Sequence, residues 1–360
     1  MKPLSIAFFG SSLVSAYWNG AATYYRGVLH TLAARGHRIT FYEPDAFDRQ
    51  AHRDIPDPDW ASVVVYPVDN IDGVSRALDL ARSADLVVKA SGVGVFDSLL
   101  EAQVPATRRT GALAAFWDVD APATLDRVAA DRGDPFRELI PAYDMILTYG
   151  GGPPVIAGYK RFGAQSCVPI YNGIDPATHH PVSPEPRFAC DLGLLANRLP
   201  DRERRVEDFF LATAADLPHK GFILGGNGWA DKPMPPNISY VGHVYTCEHN
   251  AFNCSARAVL NVNRDSMASY GYSPATRVFE AAAAGACIIT DAWEGICEFF
   301  EPGEEILVAG NGPAVAETLA RLNSQAARRF GDAARARALS EHTYNKRVDV
   351  LEAALEGRAA

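Results

Sequence analysis

The sequence predicts an α/β protein of two Rossmann-like domains facing each other across a cleft, and three observations carry that reading. A chain of 360 residues exceeds the size at which a single hydrophobic core usually stops growing. Short apolar runs alternate with helix-period stretches through the first half, and the same rhythm restarts in the second. Between the halves lies VPIYNGIDPATHHPVSPEP (168–186), rich in Pro, Gly and Asp, which reads as a hinge.

The elements follow in order. LSIAFFG (4–10) is a buried-strand run ending in a Gly-Ser-Ser turn. AATYYRGVLHTLAARGH has helical spacing with Gly36 as its stop, and HRITFYEPD (37–45) is the next strand. The stretches 77–92, 107–122 and 142–154 continue the βαβ pattern. In the second half, 187–218 reads as strand, loop and helix, and GFILGGNG (221–228) as strand and glycine-rich turn. ISYVGHVYTCEHNAF (238–252), RAVLNVNRD (257–265) and GYSPATRVFEAAAAGACIITDAWEG (271–295) complete a second α/β domain. The tail, 324–357, is alanine- and arginine-rich with helical spacing. The predicted domains are residues 1–170 and 171–360, with the last helix able to cross back to the first.

Composition narrows the function. Hydrophobic content of 48% and charged content of 21% are those of an ordinary globular protein. A formal net charge of −9 argues against a nucleic-acid-coating surface. No apolar run is long enough to span a bilayer, and MKPLSIAFFGSS lacks the h-region of a secretory signal, so a cytoplasmic protein is expected, with peripheral membrane contact left open. The six cysteines form no C-x-x-C pair and are expected to be free. Nine scattered histidines, with only His179-His180 adjacent, indicate no metal site.

Ligands of open α/β sheets bind at the carboxyl ends of the strands, so strand-to-helix loops carry the chemistry. Arg198 and Arg202, four apart at a helix start, suit a diphosphate clamp; a solvated helix start with Asp201 as cap is the alternative. Arg264 follows the NVN strand end and suits phosphate equally well as pairing with Asp265. Tyr272, Ser273 and Pro274 form a turn into a helix whose first turns hold Arg277 and Glu280. Glu280 reads either as helix-dipole electrostatics or as a carboxylate accepting two ribose hydroxyls, with the alanines and Gly285 allowing close helix packing.

The runs IYNGIDPATHHP, DLGLLANRLPDR, LNVNRDSMASYGYSPATRVFEAAAAGACIITDAWEG and FFEPGEEIL resemble the donor-binding domain of a GT-B glycosyltransferase of the CgeB-like group. FWDVDAPATL and YDMILTYGGGP resemble that group's N-terminal domain; residues 1 to 110 match only in rhythm. The resemblance implies a UDP-, GDP- or dTDP-sugar donor and no cofactor. It places Glu280 at the ribose, Arg198 and Arg202 at the diphosphate, and Arg277 and Arg264 as further anion contacts. It sets the backbone of Gly242 and His243 at the nucleobase. Many retaining relatives carry a second acid where this chain has Tyr272, so the stereochemical course is left open.

A leaving diphosphate must be met by arginines and a helix N-terminus where no metal is bound. An inverting reaction also needs a base, for which Asp118 and Asp120 in WDVDAP are the candidates, against a turn-and-cap role; His249 is a weaker one. The acceptor is expected on the first domain, at the 10–21 loop with Ser11, Ser12, Tyr17 and Trp18, and near Gly151. Its class is open: carbohydrate, lipid-linked, small-molecule or protein. Two other readings use the same donor site: an epimerase or hydrolase, and a non-catalytic nucleotide-sugar-binding envelope or spore-assembly factor. A Rossmann dehydrogenase is disfavoured because GSSLVSAYWNG lacks G-x-G-x-x-G.

Overall fold

Among the described residues thirteen strands pair, all in parallel, into two separate sheets. The computed structural model describes residues 1–359, with side chains to residue 357. Two compact units result: Met1–Tyr171 with Tyr344–Ala360, and Asn172–Thr343.

In unit 1 the strands are β1 (Ser5–Phe9), β2 (Arg38–Pro44), β3 (Ala61–Tyr66), β4 (Leu86–Ala90), β5 (Leu113–Asp118), β6 (Met145–Thr148) and β7 (Cys167–Pro169). Their order is β3-β2-β1-β4-β5-β6-β7, with Phe8 registered between Phe41 and Val88. Strands covered on both faces read as continuous apolar runs, which is why β1 and β4 are legible in sequence. The interior polar group of β4, Lys89, is fully buried and bonds Asp97 at 2.5 Å.

In unit 2 the strands are β8 (Cys190–Leu195), β9 (Phe222–Gly225), β10 (Ile238–Gly242), β11 (Ala256–Asn261), β12 (Ile288–Asp291) and β13 (Leu307–Ala309), in the order β10-β9-β8-β11-β12-β13. Both sheets thus reverse direction once. The reversal falls between β1 and β4 in unit 1 and between β8 and β11 in unit 2, and such switch points open a crevice at the strands' carboxyl ends.

The tail is two helices rather than one, Ser324–Glu341 and Tyr344–Ala359. The break is held within unit 2: the His342 carbonyl accepts Ile174 N at 2.9 Å, and His342 Nε2 lies 2.7 Å from Phe299 O. The second helix packs on helix Ala22–Ala34 of unit 1. A Cβ on Gly27 would meet the Tyr344 ring at 2.0 Å, so only glycine allows that approach. All six cysteines are free. Among the described residues no helix is long and apolar enough to cross a membrane.

Candidate functional site

Helix Thr276–Ala283 of unit 2 carries the acid singled out in sequence. Ala281, Ala282, Ala283 and Ala284 are buried behind it, and a Cβ on Gly331 would strike Gly285 O at 2.0 Å. Small residues on both sides therefore seat this helix against helix Ser324–Glu341. At its start Thr276 Oγ1 donates to Asn172 Oδ1 at 3.0 Å.

Glu280 is 6% exposed, and two imidazoles flank its carboxylate: His179 Nε2 at 3.6 Å and His249 Nδ1 at 3.3 Å. Burial by itself would raise the Glu280 pKa. The contact with His249 and the charges of His179, His249 and Arg277 more than offset this and hold it at about 2. Burial pushes His179 down, while Glu280 outweighs burial at His249 and raises it. The positive groups that lower the Glu280 pKa thus include His249, itself raised by Glu280, and Arg277. Arg277 Nη1 also donates to Asn261 Oδ1 at 2.9 Å.

Several buried polar atoms on the segments that carry these groups lack hydrogen bonds: both ring nitrogens of His179, Oδ1 of Asn250 and Oγ of Ser273. Asn250 Nδ2 donates to Thr178 O at 2.8 Å, which ties the 170–181 loop to helix His249–Ser255. Buried polar groups are ordinarily paired, so this concentration marks a place for polar ligand atoms. Sequence reading missed His179 as a neighbour of Glu280, since a loop and a helix about a hundred residues apart carry no common period.

The arginines divide. Arg198 is held by Glu203 at 2.7 Å and Asp231 at 3.0 Å, and these hydrogen bonds raise its pKa. These two acids neutralise it in the structure, as Asp201 does Arg264. Arg264 Nε donates to Asp201 Oδ2 at 2.5 Å, tying the loop after β11 to the helix Pro200–Val206 that carries Arg202. Arg264 and Arg202 thus flank the switch point of unit 2.

Tyr272 adopts a left-handed backbone, φ 48°. Its N–H donates to Glu294 O at 2.6 Å, its hydroxyl lies 3.4 Å from Glu294 Oε1, and its ring fills the space a Cβ on Gly295 would need. An acid absent from position 272 in sequence is thus present beside it in space. Gly242 has φ 68°, and the exposed His243 ring packs edge-on against Tyr245, itself 59% exposed, at 4.6 Å.

An open recess of about 650 Å³ lies along the carboxyl edge of the same sheet, lined by Arg204, Arg205, Asp208, Phe209, Asp265 and the backbone after β12 and β13. Arg205 is already paired with Asp291 at 2.6 Å and Asp265 at 3.4 Å. Unpaired buried polar atoms occur beside this recess as well, at Arg205 Nε and Ser266 Oγ; the site is placed at Glu280 because a buried carboxylate there is flanked by two imidazoles. Among the described residues no three His, Cys, Asp or Glu side chains are arranged to hold a metal ion.

Unit 1 alters several expectations. Ser11 and Ser12 are buried and bonded inward, to Asn19 Oδ1 at 2.9 Å and Glu43 Oε1 at 3.0 Å. Asp118 is fully buried, accepts from the Tyr159 hydroxyl and from Asp120 N at 2.9 Å, and so braces its own loop. Gly151 is buried with φ 91° and starts helix Gly152–Arg161, a turn that a side chain would crowd against Val155. Tyr17 is stacked on His52 at 4.1 Å. Trp18 is 53% exposed and Asp120 partly exposed.

Residues 202–353 match a family model described as glycosyl transferase-like. No curated protein matches the chain. Among solved structures, sucrose-phosphate synthase from Thermosynechococcus elongatus is 16% identical, with TM-score 0.71 and 98% of each chain covered. HepE of Anabaena, in complex with UDP-glucose, is 13% identical, with TM-score 0.69, 98% of this chain covered and 100% of that one. AviGT4, a glycosyltransferase involved in avilamycin A biosynthesis, is 17% identical, with TM-score 0.64 and 99% and 97% covered. The chain therefore has the GT-B glycosyltransferase fold.

Proposed function

We propose that this protein is a glycosyltransferase that moves a sugar from a nucleoside-diphosphate sugar to an acceptor hydroxyl, in the CgeB-like manner that its motifs suggest. The observation that carries the reading is Glu280: a buried carboxylate of unit 2 held ionised, flanked by His249 and by a His179 ring whose nitrogens have no hydrogen-bond partner. A carboxylate kept charged accepts two hydrogen bonds from a vicinal diol, which is what a ribose presents. The same fold in neighbours whose descriptions name UDP-glucose puts UDP first among the donors to test.

Within this reading His243 and Tyr245 border the base. Arg202, Arg264 and Arg277 meet the charge that grows on the leaving diphosphate, the helix N-terminus at Thr276 adds to them, and no metal is required. Glu294 supplies the sugar-facing acid that position 272 lacks. Asp120 is the remaining candidate base in WDVDAP, since Asp118 is enclosed. That enclosure favours one second reading, a protein that binds a nucleotide sugar without transferring it.

A thermal-shift screen with UDP-, GDP-, ADP- and dTDP-sugars tests the proposal. Stabilisation by one family, lost in Glu280→Ala, is expected; no shift with any would overturn the donor site. Nucleoside diphosphate released only when an acceptor extract is added separates transfer from hydrolysis and from binding alone.

A further inference from the structure

Among the described residues five non-glycine residues lie in the left-handed region, and four of them are in unit 1, in loops after β1, β2 and β4: Trp18, Phe47, Asp48 and Phe96. A left-handed backbone is costly for a bulky residue, and strain of this kind gathers at functional sites. Trp18 and Phe47 combine it with a second cost, since their rings stay 53% and 54% exposed. Glycine or asparagine would make the same turns with less backbone strain.

Both rings are propped from beneath. Trp18 meets Tyr17 edge-on at 6.5 Å, and Tyr17 stacks on His52 at 4.1 Å. Arg49, only 7% exposed, sits 4.9 Å from the centre of the Phe47 ring and donates to Ser11 O at 3.1 Å, joining the loops after β1 and β2. Gly94, φ 100°, leaves the room that Phe47 occupies, because a Cβ there would come within 2.6 Å of the ring. His52 Nδ1 lies 2.9 Å from Asp48 O, so the Trp18 and Phe47 supports form one connected strip. The strip sits at the switch point of the unit 1 sheet, where an open α/β sheet takes its ligand.

The rim decides the ligand. Asp45 and Asp48 are exposed beside Phe47, whereas of the nearby cations Arg49 is buried beneath the ring, and Arg26 and Arg53 are paired with Asp54 at 2.8 Å and Asp57 at 3.0 Å. Exposed carboxylates repel anions and accept hydrogen bonds from hydroxyls. Flat rings edged by such acceptors fit the apolar face of a neutral sugar. We propose that Trp18 and Phe47 form a stacking platform for a neutral glycan, which is the acceptor of this enzyme. The proposal rests on the transferase reading for the word acceptor, but the platform itself does not need it. Tyr17, expected from sequence to stack on the acceptor, becomes a prop, and Phe47 takes that role.

Fluorine NMR of protein labelled with 5-fluorotryptophan tests this, because the chain has five tryptophans and Trp18→Phe assigns the one that matters. The probes are maltotriose, cellotriose and N,N′,N″-triacetylchitotriose, with phenyl phosphate as an anionic flat control and UDP as the donor probe. At least one trisaccharide should move the Trp18 resonance saturably and leave the buried tryptophans still. Phe47→Asn should weaken that binding about tenfold while the melting temperature stays level or rises. A purely structural Phe47 would lose stability and not affinity. A Trp18 signal that follows only phenyl phosphate, or no probe, overturns the platform, as does full affinity in Phe47→Asn. If a trisaccharide binds and UDP does not, the transferase reading falls and the platform stands; the reverse pattern removes the platform alone.

Discussion

The two units share one topology and fill its switch point with opposite chemistry. In unit 2 the loops bring together a buried acid, two imidazoles and arginines, with several polar atoms unpaired. In unit 1 the serines and Asp118 are bonded inward, and the surface is left to strained, exposed aromatic rings. A parallel sheet sets where a ligand can bind, and the loop side chains set what it is. Charge with unmet hydrogen-bonding capacity suits a nucleotide; rings with an acidic rim suit a sugar face.

That contrast breaks first at His249. His249→Ala leaves Glu280 buried without its main counterion and should cost about 3 kcal/mol in a urea titration. An effect below about 0.5 kcal/mol would mean that the pair does not hold unit 2. The pH dependence follows from the same pair. The raised His249 contributes stability that is complete below its unfolded value of 6.5 and is lost as pH rises through its folded value. Glu280 works the other way: its share is present above 4.5 and lost as pH falls toward about 2. Melting curves of His249→Gln should lack the alkaline decline.

Next in size is Glu280→Gln, nearly isosteric but without the charge. UDP affinity by calorimetry should fall roughly ten- to hundredfold, the value of a charge-assisted hydrogen bond. In unit 1, Gly94→Ala adds a Cβ at φ 100° within 2.6 Å of Phe47 and should cost roughly 1–2 kcal/mol by chemical denaturation, with UDP binding unaffected. The smallest effect is expected at Trp18→Asn, where relief of strain leaves stability unchanged or higher by about 0.5 kcal/mol in the same assay.

Much of the fold was legible because buried parallel strands are written as apolar runs. LSIAFFG became β1 and RAVLNVNRD contains β11. Strand β3, ASVVVY, and the three-residue strands β7 and β13 escaped notice. β7 and β13 are too short to stand out alone and depend on their neighbours for pairing, whereas β3 is a six-residue run bracketed by Pro58 and Pro67 whose punctuation is present in the sequence. The tail looked like one helix because its break at His342 and Thr343 is imposed by contacts with Phe299 and Ile174, not by proline or glycine.

In the site, Glu280 could be singled out because an acid ahead of an alanine-rich helix is unusual locally. His179, Glu294 and Phe47 could not, since each matters through a neighbour far away in sequence or through a backbone angle its residue type disfavours. Arg198 shows both cases: one acid it pairs with, Glu203, is 5 residues on, and the other, Asp231, is 33.

Hydrogen–deuterium exchange with and without UDP tests the central claim most directly, because it reads both units in one experiment. The account predicts added protection in peptides spanning 243–249 and 276–283, with the 10–21 and 45–55 loops unchanged. Protection confined to unit 1, or unchanged exchange around Glu280 under saturating UDP, would contradict it.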